Sequence, residues 1–250
     1  MLSPDLDGVT ALVTGSARGL GRALSLSLAD CGASVAVHYR TSADAADEVA
    51  ERARERGAPA ATTVQGDVTD PDDVDALFDA VEADLGAPDV LVNNVGDFDP
   101  RHWTEAPFAD VRRVVETNLY GTFLCTRRAL PAMRESGSAG DLARVVNVGY
   151  ASSEKGLVSP ENFPYFAAKA GVVMFTRMAA ADTADDGVTV NCVSPYVVEN
   201  SEEFPDELPR GRPASYEDVA QAVLFFCHPD SGYVSGENVE VDGGWLPEDV

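Results

Sequence analysis

Short β-branched runs alternate along the chain with longer stretches in which apolar residues recur every three or four positions. The runs at 9–14, 34–39, 61–65, 90–93, 144–148, 188–193 and 238–241 predict strands. The stretches at 20–31, 43–56, 71–85, 108–133, 164–182 and 216–226 predict helices. Asp70 followed by Pro71 is an N-cap with proline at the first helical position, and Gly57 closes the second helix. Gly121 mildly interrupts the long helix, with Pro131 near its end. Strands separated by helices of this length imply a parallel sheet covered on both faces. Right-handed crossovers then favour one doubly wound α/β domain of about seven strands over residues 1–250. Ligands of such sheets sit at the carboxyl ends of the strands, so unusual residues are expected just after the first, fourth, fifth and sixth.

Composition adds a setting. No apolar stretch approaches the roughly 18 residues that cross a bilayer, and the first ten residues lack the basic and apolar regions of a secretory signal. A cytoplasmic protein is expected. Acids outnumber bases 42 to 18, and the net charge of −24 argues against a nucleic-acid partner. Lysine is nearly absent: only Lys155 and Lys169 occur. Such acid-rich, lysine-poor chains resemble those of halophilic organisms, where molar salt shortens the Debye length to about 3 Å and screens carboxylate repulsion. A lysine retained against that background is expected to have a task. Cys31, Cys125, Cys192 and Cys227 are scattered, as are His38, His102 and His228, so buried thiols in a reducing compartment are expected and no metal site is.

The first run ends in Thr14-Gly15-Ser16-Ala17-Arg18-Gly19-Leu20-Gly21 and opens a helix. Glycines there let the backbone approach a pyrophosphate, whose charge a helix N-terminus stabilises. The Gly-x-x-x-Gly-x-Gly spacing resembles that of the short-chain dehydrogenase/reductase superfamily. An NAD enzyme would carry an acid about 20 residues on for the ribose 2′-hydroxyl. Here the second strand ends in His38-Tyr39-Arg40-Thr41-Ser42, without one. Arg40 could pair with a 2′-phosphate through its planar fork, Arg18 is a second candidate, and Ser42 could donate a hydrogen bond. NADP(H) is therefore expected ahead of NAD(H).

Tyr165 and Lys169 lie four residues apart in a predicted helix and so project from one face. A phenol, with a pKa near 10, transfers protons poorly at neutral pH; an adjacent ammonium and an oxidised nicotinamide would favour phenolate. The resemblance extends over the whole chain. Asn93-Asn94-Val95-Gly96 matches the family's Asn-Asn-Ala-Gly element, with Val95 for Ala, and Asp67-Val68 matches the adenine contact. By the same resemblance, Asn118 holds a water in a proton relay to the lysine. Asn191, Ser194-Pro195 and the run from Val241 to Trp245 match further elements, which implies a Rossmann fold and a homotetramer. That assembly would pair the helices at 108–133 and 164–182, with a second contact near Trp245.

Two departures bear on the acceptor. Relatives place a substrate-binding serine three residues after the asparagine of strand five and 13 before the tyrosine. The first count, from Asn147, gives Tyr150; the second, from Tyr165, gives Ser152. Strand register is harder to shift than a loop, which favours Tyr150, with Ser152 still open. The family's Pro-Gly becomes Pro195-Tyr196, followed by Val198, and its threonine aligns with Asn200. The segment covering the substrate is short and carries Glu199, Glu202, Glu203, Asp206 and Glu207, which disfavours a polyanionic carrier. The resemblance implies an NADPH-dependent reductase of a ketone or C=N bond, with a 3-oxoacyl-type and a pteridine-type acceptor in competition. Phe98, Trp103 and Tyr196, placed near the expected mouth, lean towards a planar heterocycle. A cofactor-binding sensor or scaffold without turnover is the rival from another class.

Overall fold

The computed structural model describes residues 2–151, 153–155, 159–199, 201, 205 and 207–245. Seven parallel strands form one sheet in the order β3-β2-β1-β4-β5-β6-β7. They are β1 (Thr10–Val13), β2 (Ser34–Tyr39), β3 (Ala61–Gln65), β4 (Val90–Asn93), β5 (Arg144–Val148), β6 (Thr189–Pro195) and β7 (Asn238–Val241). The helices are α1 (Gly19–Asp30), α2 (Ala43–Glu55), α3 (Pro71–Leu85), α4 (Phe108–Val115), α5 (Gly121–Ala139), α6 (Phe163–Asp182) and α7 (Tyr216–Cys227). This is the expected doubly wound, Rossmann-like architecture.

Alternation along the strands sorts the core into two layers. Ala11, Val13, Val90, Val92, Val146 and Val148 pack with Leu24 and Leu28 of α1 and Val223 and Leu224 of α7. Leu12, Leu91 and Val145, one residue out of phase, pack on the other face with Leu77 and Phe78 of α3 and Ala129 and Met133 of α5. Burial on both faces explains why these strands read as unbroken apolar runs. Asp70 caps α3 by accepting the Asp72 amide at 2.9 Å, as its place before Pro71 predicts.

The long helix expected over 108–133 departs from the prediction. It is interrupted earlier than Gly121, by a π-helical turn at Glu116–Tyr120, and α5 runs past Pro131 to Ala139 before Gly140 ends it in a left-handed conformation. Gly121 is needed for packing: a Cβ there would stand 2.8 Å from Val68 Cγ2. The sheet order reverses around β1, whose neighbours β2 and β4 lead to opposite halves. The crevice above β1 and β4 is therefore the place to look for a ligand.

Candidate active site

The glycine turn leaves β1 at this switch point. Gly15 (φ +66°) and Gly19 (φ +56°) use backbone conformations that disfavour side chains, and a Cβ on Gly21 would lie 2.5 Å from the Gly15 carbonyl. Thr14 stitches the turn to β4: its hydroxyl accepts from the amides of Asn94 (2.9 Å) and Val95 (3.1 Å). The Asn94 side chain returns hydrogen bonds to the carbonyls of Thr14 (3.0 Å) and Gly15 (3.3 Å). The first-turn amides of α1, at Gly19, Leu20 and Gly21, have no intrahelical partners and form a cradle suited to a pyrophosphate. Ser16 faces the other way. Its buried hydroxyl donates to the Val13 carbonyl (2.7 Å) and accepts the His38 amide (3.0 Å), so its side chain braces the turn instead of facing the crevice.

Arg18, at the N-cap of α1, is exposed. Tyr39, the last residue of β2, is half-buried, and Arg40 just beyond stands two-thirds exposed with Nη1 3.4 Å from Asp67 Oδ2. Ser42 occupies the N-cap of α2 without a side-chain capping bond. Burial opposes ionisation of Asp67, but the amide and hydroxyl of Thr69, with Arg40, hold its carboxyl below the usual range. Val68 is buried against Gly121. His38 is the residue that sequence reasoning missed. Buried beneath the turn, its Nδ1 accepts the Gly15 amide at 2.9 Å and its Nε2 lies 3.0 Å from the Gly66 carbonyl. Its place just before Tyr39 and Arg40, at the end of β2, was the available signal.

At the other side of the crevice, Asn93 donates to Asn147 Oδ1 (2.8 Å) and Thr126 (2.9 Å), tying β4 to β5 and α5. Lys169 is buried, its Nζ donating to the Val148 carbonyl at 2.7 Å and lying 5.7 Å from the centre of the Tyr165 ring. The π turn aims Asn118 inward, where Nδ2 donates to the carbonyls of Asp97 (2.7 Å) and Val114 (2.8 Å). Asn118 Oδ1 is buried and has no hydrogen-bond partner among the described residues. A Cβ on Gly96 would stand 3.0 Å from that oxygen and 3.6 Å from Lys169 Nζ, so amide and ammonium converge on the space the missing side chain leaves. An orphaned acceptor and a glycine cradle both fit a polar ligand in this crevice.

The electrostatics of the pair differ from the sequence expectation. Burial lowers Lys169 to about 8. Burial, reinforced by Tyr150, pushes the Tyr165 phenol above its ordinary value. In the chain alone, desolvation sets the direction of both shifts.

Tyr150 follows β5 at a position fixed by backbone pairing, since Gly149 and Ala151 donate to the carbonyls of Val193 (2.9 Å) and Pro195 (3.1 Å). Its ring lies 5.4 Å from Tyr165, edge-on, and 5.3 Å from Phe166. Phe98 packs edge-on against Tyr165 from the β4 side, at 5.1 Å. Tyr196, just past Pro195, is 6.2 Å from Tyr150 and stacks on Trp245 at 4.0 Å. Val198 bridges to Ala214. Trp103 is elsewhere, stacked on His102, and makes no ring contact with this cluster among the described residues. Ser152, Asn200, Glu202, Glu203 and Asp206 lie outside the described residues. Lys155, the second lysine, reaches across to pair with Glu240 (3.0 Å) and Asp242 and donates to the Trp245 carbonyl (2.7 Å). It fastens the loop after β5 to the C-terminal strand.

A family model described as "Enoyl-(Acyl carrier protein) reductase" matches residues 15–246. A 3-oxoacyl-[acyl-carrier-protein] reductase of Staphylococcus aureus is 34% identical over 247 residues, covering 94% of this chain and 97% of that protein. The chain belongs to the short-chain dehydrogenase/reductase family. This chain is also similar to 3beta-hydroxysteroid dehydrogenase 1 of Eggerthella lenta, with 34% identity over 96% of this chain and 94% of the relative. Among solved structures it resembles the landomycin C-6 ketoreductase LanV with bound NADP and rabelomycin: TM-score 0.87, 31% identity and 98% of both chains covered. The chain is thus an oxidoreductase of a nicotinamide-dependent family.

Proposed function

We propose that this short-chain reductase reduces a ketone with NADPH, using Tyr165 as the proton donor. The observation that carries the reading is the approach of Lys169 to both the Tyr165 ring and the space at Gly96 that the orphaned Asn118 oxygen also faces. NADPH, when bound, supplies the hydride. The turn at Gly15, Gly19, Leu20 and Gly21, with Asn94, Val95 and Gly96, would hold the dinucleotide. Asp67 and Val68 would meet the adenine, Arg40, Arg18, Tyr39 and Ser42 the ribose phosphate, and Pro195, Tyr196 and Val198 the nicotinamide. Lys169 binds the nicotinamide ribose and, through its positive charge, offsets part of the desolvation that raises Tyr165. Asn118 Oδ1 accepts from the water that relays protons to Lys169. Tyr150, in the register position of the family serine, polarises the acceptor oxygen, with Ser152 the alternative donor.

The walls beside Tyr165 favour a flat acceptor. Phe98, Tyr150 and Tyr196, the last backed by Trp245, present rings on that side, and apolar rings favour planar partners. Rabelomycin in the LanV complex is a ligand of that neighbour, and a 3-oxoacyl group is the substrate in the name of the staphylococcal relative. A pteridine-like C=N substrate stays second. Phe108, Tyr120, Phe123, Met174 and Met178 lie exposed on α4, the π turn, α5 and α6, which supports pairing of subunits through these helices in a homotetramer. Light scattering in high salt should give a four-subunit mass. Among the described residues no helix is long and apolar enough to cross a membrane. The charge of −24 supports a salt-rich cytoplasm as the working medium.

The reading is tested by NADPH oxidation in molar KCl with 3-oxoacyl thioesters, polycyclic ketones and dihydropteridines. Ketone-dependent oxidation is expected. Tight NADPH binding with no acceptor reduced would replace the enzyme with a cofactor-dependent sensor.

A further inference from the structure

His38 is placed where three separate parts of the chain meet. Its backbone amide donates to Ser16 Oγ at 3.0 Å, and its carbonyl accepts the Ser16 amide at 2.9 Å. Any residue at this position would keep those two bonds. The ring adds what only certain side chains can supply. Because Nδ1 accepts the Gly15 amide (2.9 Å), the proton sits on Nε2, which donates to the Gly66 carbonyl (3.0 Å). One neutral imidazole therefore spans from the first glycine of the turn after β1 to the residue before Asp67 after β3.

Gly15 lacks freedom in every other direction. A Cβ would meet Val95 Cγ2 at 2.9 Å, and its carbonyl accepts from Asn94. Its amide is thus the remaining handle that sets the tilt of the turn, and His38 holds it. Ser16, the next residue, is wholly buried, so a shift at Gly15 carries forward into Arg18, Gly19 and Leu20. Without the ring, a part-buried amide loses its acceptor in a segment that must already be shaped before a dinucleotide arrives.

We propose that His38 is a positioning residue for the dinucleotide: its ring clamps the glycine turn to the end of β3 and so preorganises the pyrophosphate cradle. The inference rests on the proposed dinucleotide site. Burial holds the imidazole below its ordinary pKa, which keeps it neutral and its Nδ1 free to accept.

Two conservative variants separate the halves of the clamp. His38→Asn puts an amide oxygen near the Nδ1 position and keeps an acceptor for Gly15. His38→Gln reaches instead to the Nε2 position and keeps only the Gly66 bond. His38→Phe keeps the ring shape and neither bond. Fluorescence titration with NADPH and with NADH, alongside thermal unfolding, reads the outcome. The expected result is affinity within about threefold of wild type for the Asn variant and about tenfold or more weaker for Gln and Phe. Both cofactors should lose affinity, because the turn serves the pyrophosphate they share. Gln and Phe variants that bind like wild type, or an Asn variant that binds no better than Phe, would overturn the role of His38. Failure of the wild type itself to bind either cofactor would instead remove the proposed dinucleotide site, and this inference with it.

Discussion

Replacing Lys169 by Met should stabilise the fold while removing the chemistry. Lys169 is 3% exposed, and burial brings its pKa from 10.5 to about 8. That lowering corresponds to about 3 kcal/mol of desolvation carried by the folded state wherever the lysine is charged. Met removes the charge at similar volume but leaves the Val148 carbonyl without its 2.7 Å donor, at a cost of about 1–2 kcal/mol. The net gain near pH 6.5 is then about 1–2 kcal/mol. The pH dependence has a definite sign. Between about 8 and 10.5 the unfolded chain holds the proton and the folded chain releases it, so wild-type stability relative to Lys169→Met rises with pH. From about pH 6.5 to 9.5 that rise amounts to about 2 kcal/mol. The buried thiols Cys125 and Cys227, both pushed up by burial, titrate in both proteins and leave the difference in place to first order. Urea unfolding of the two proteins at both pH values measures it, and turnover should fall by at least about a hundredfold in the variant. Parallel stability profiles would refute a buried, charge-strained lysine.

Arg40→Ala should raise the KM for NADPH by about tenfold and change that for NADH little, because only the former offers a 2′-phosphate to the guanidinium; equal effects would remove Arg40 from cofactor selection. Tyr150→Phe should lower kcat by about tenfold or more, whereas Ser152→Ala should not. The reverse pattern would hand the acceptor contact to Ser152. Thermal midpoints should climb as KCl is raised from about 0.1 M to molar concentration, since the Debye length shrinks from about 10 to 3 Å around a surface of net charge −24. A falling midpoint would show that ion pairs such as those of Arg113 with Asp97 and Asp99 matter more than acid–acid repulsion.

Much of the scaffold was legible because its signals are local. Strands β2, β3, β4, β5 and β7 begin and end where the apolar runs do, and α3 where its cap and proline place it. The placement of Tyr165 and Lys169 was legible for the same reason, as two residues four positions apart on one helix. The π turn was not, since its register is supported by an Asn118 bond to the Asp97 carbonyl that no periodicity encodes. His38 and Lys155 escaped on similar grounds. His38 matters only once β1, β2 and β3 are side by side, and the partners of Lys155 lie some 85 to 90 residues away along the chain. Ser16 and Trp103 show the converse: a residue inside a motif or near a mouth still turns inward or aside when a nearer partner satisfies it.

Single-turnover NADPH oxidation by wild type and Tyr165→Phe, with cofactor binding measured on the same samples, bears directly on the assignment of the proton donor. The phenol's role predicts NADPH affinity within about threefold and a rate at least about a hundredfold lower in the variant. Equal rates in the two proteins would contradict it.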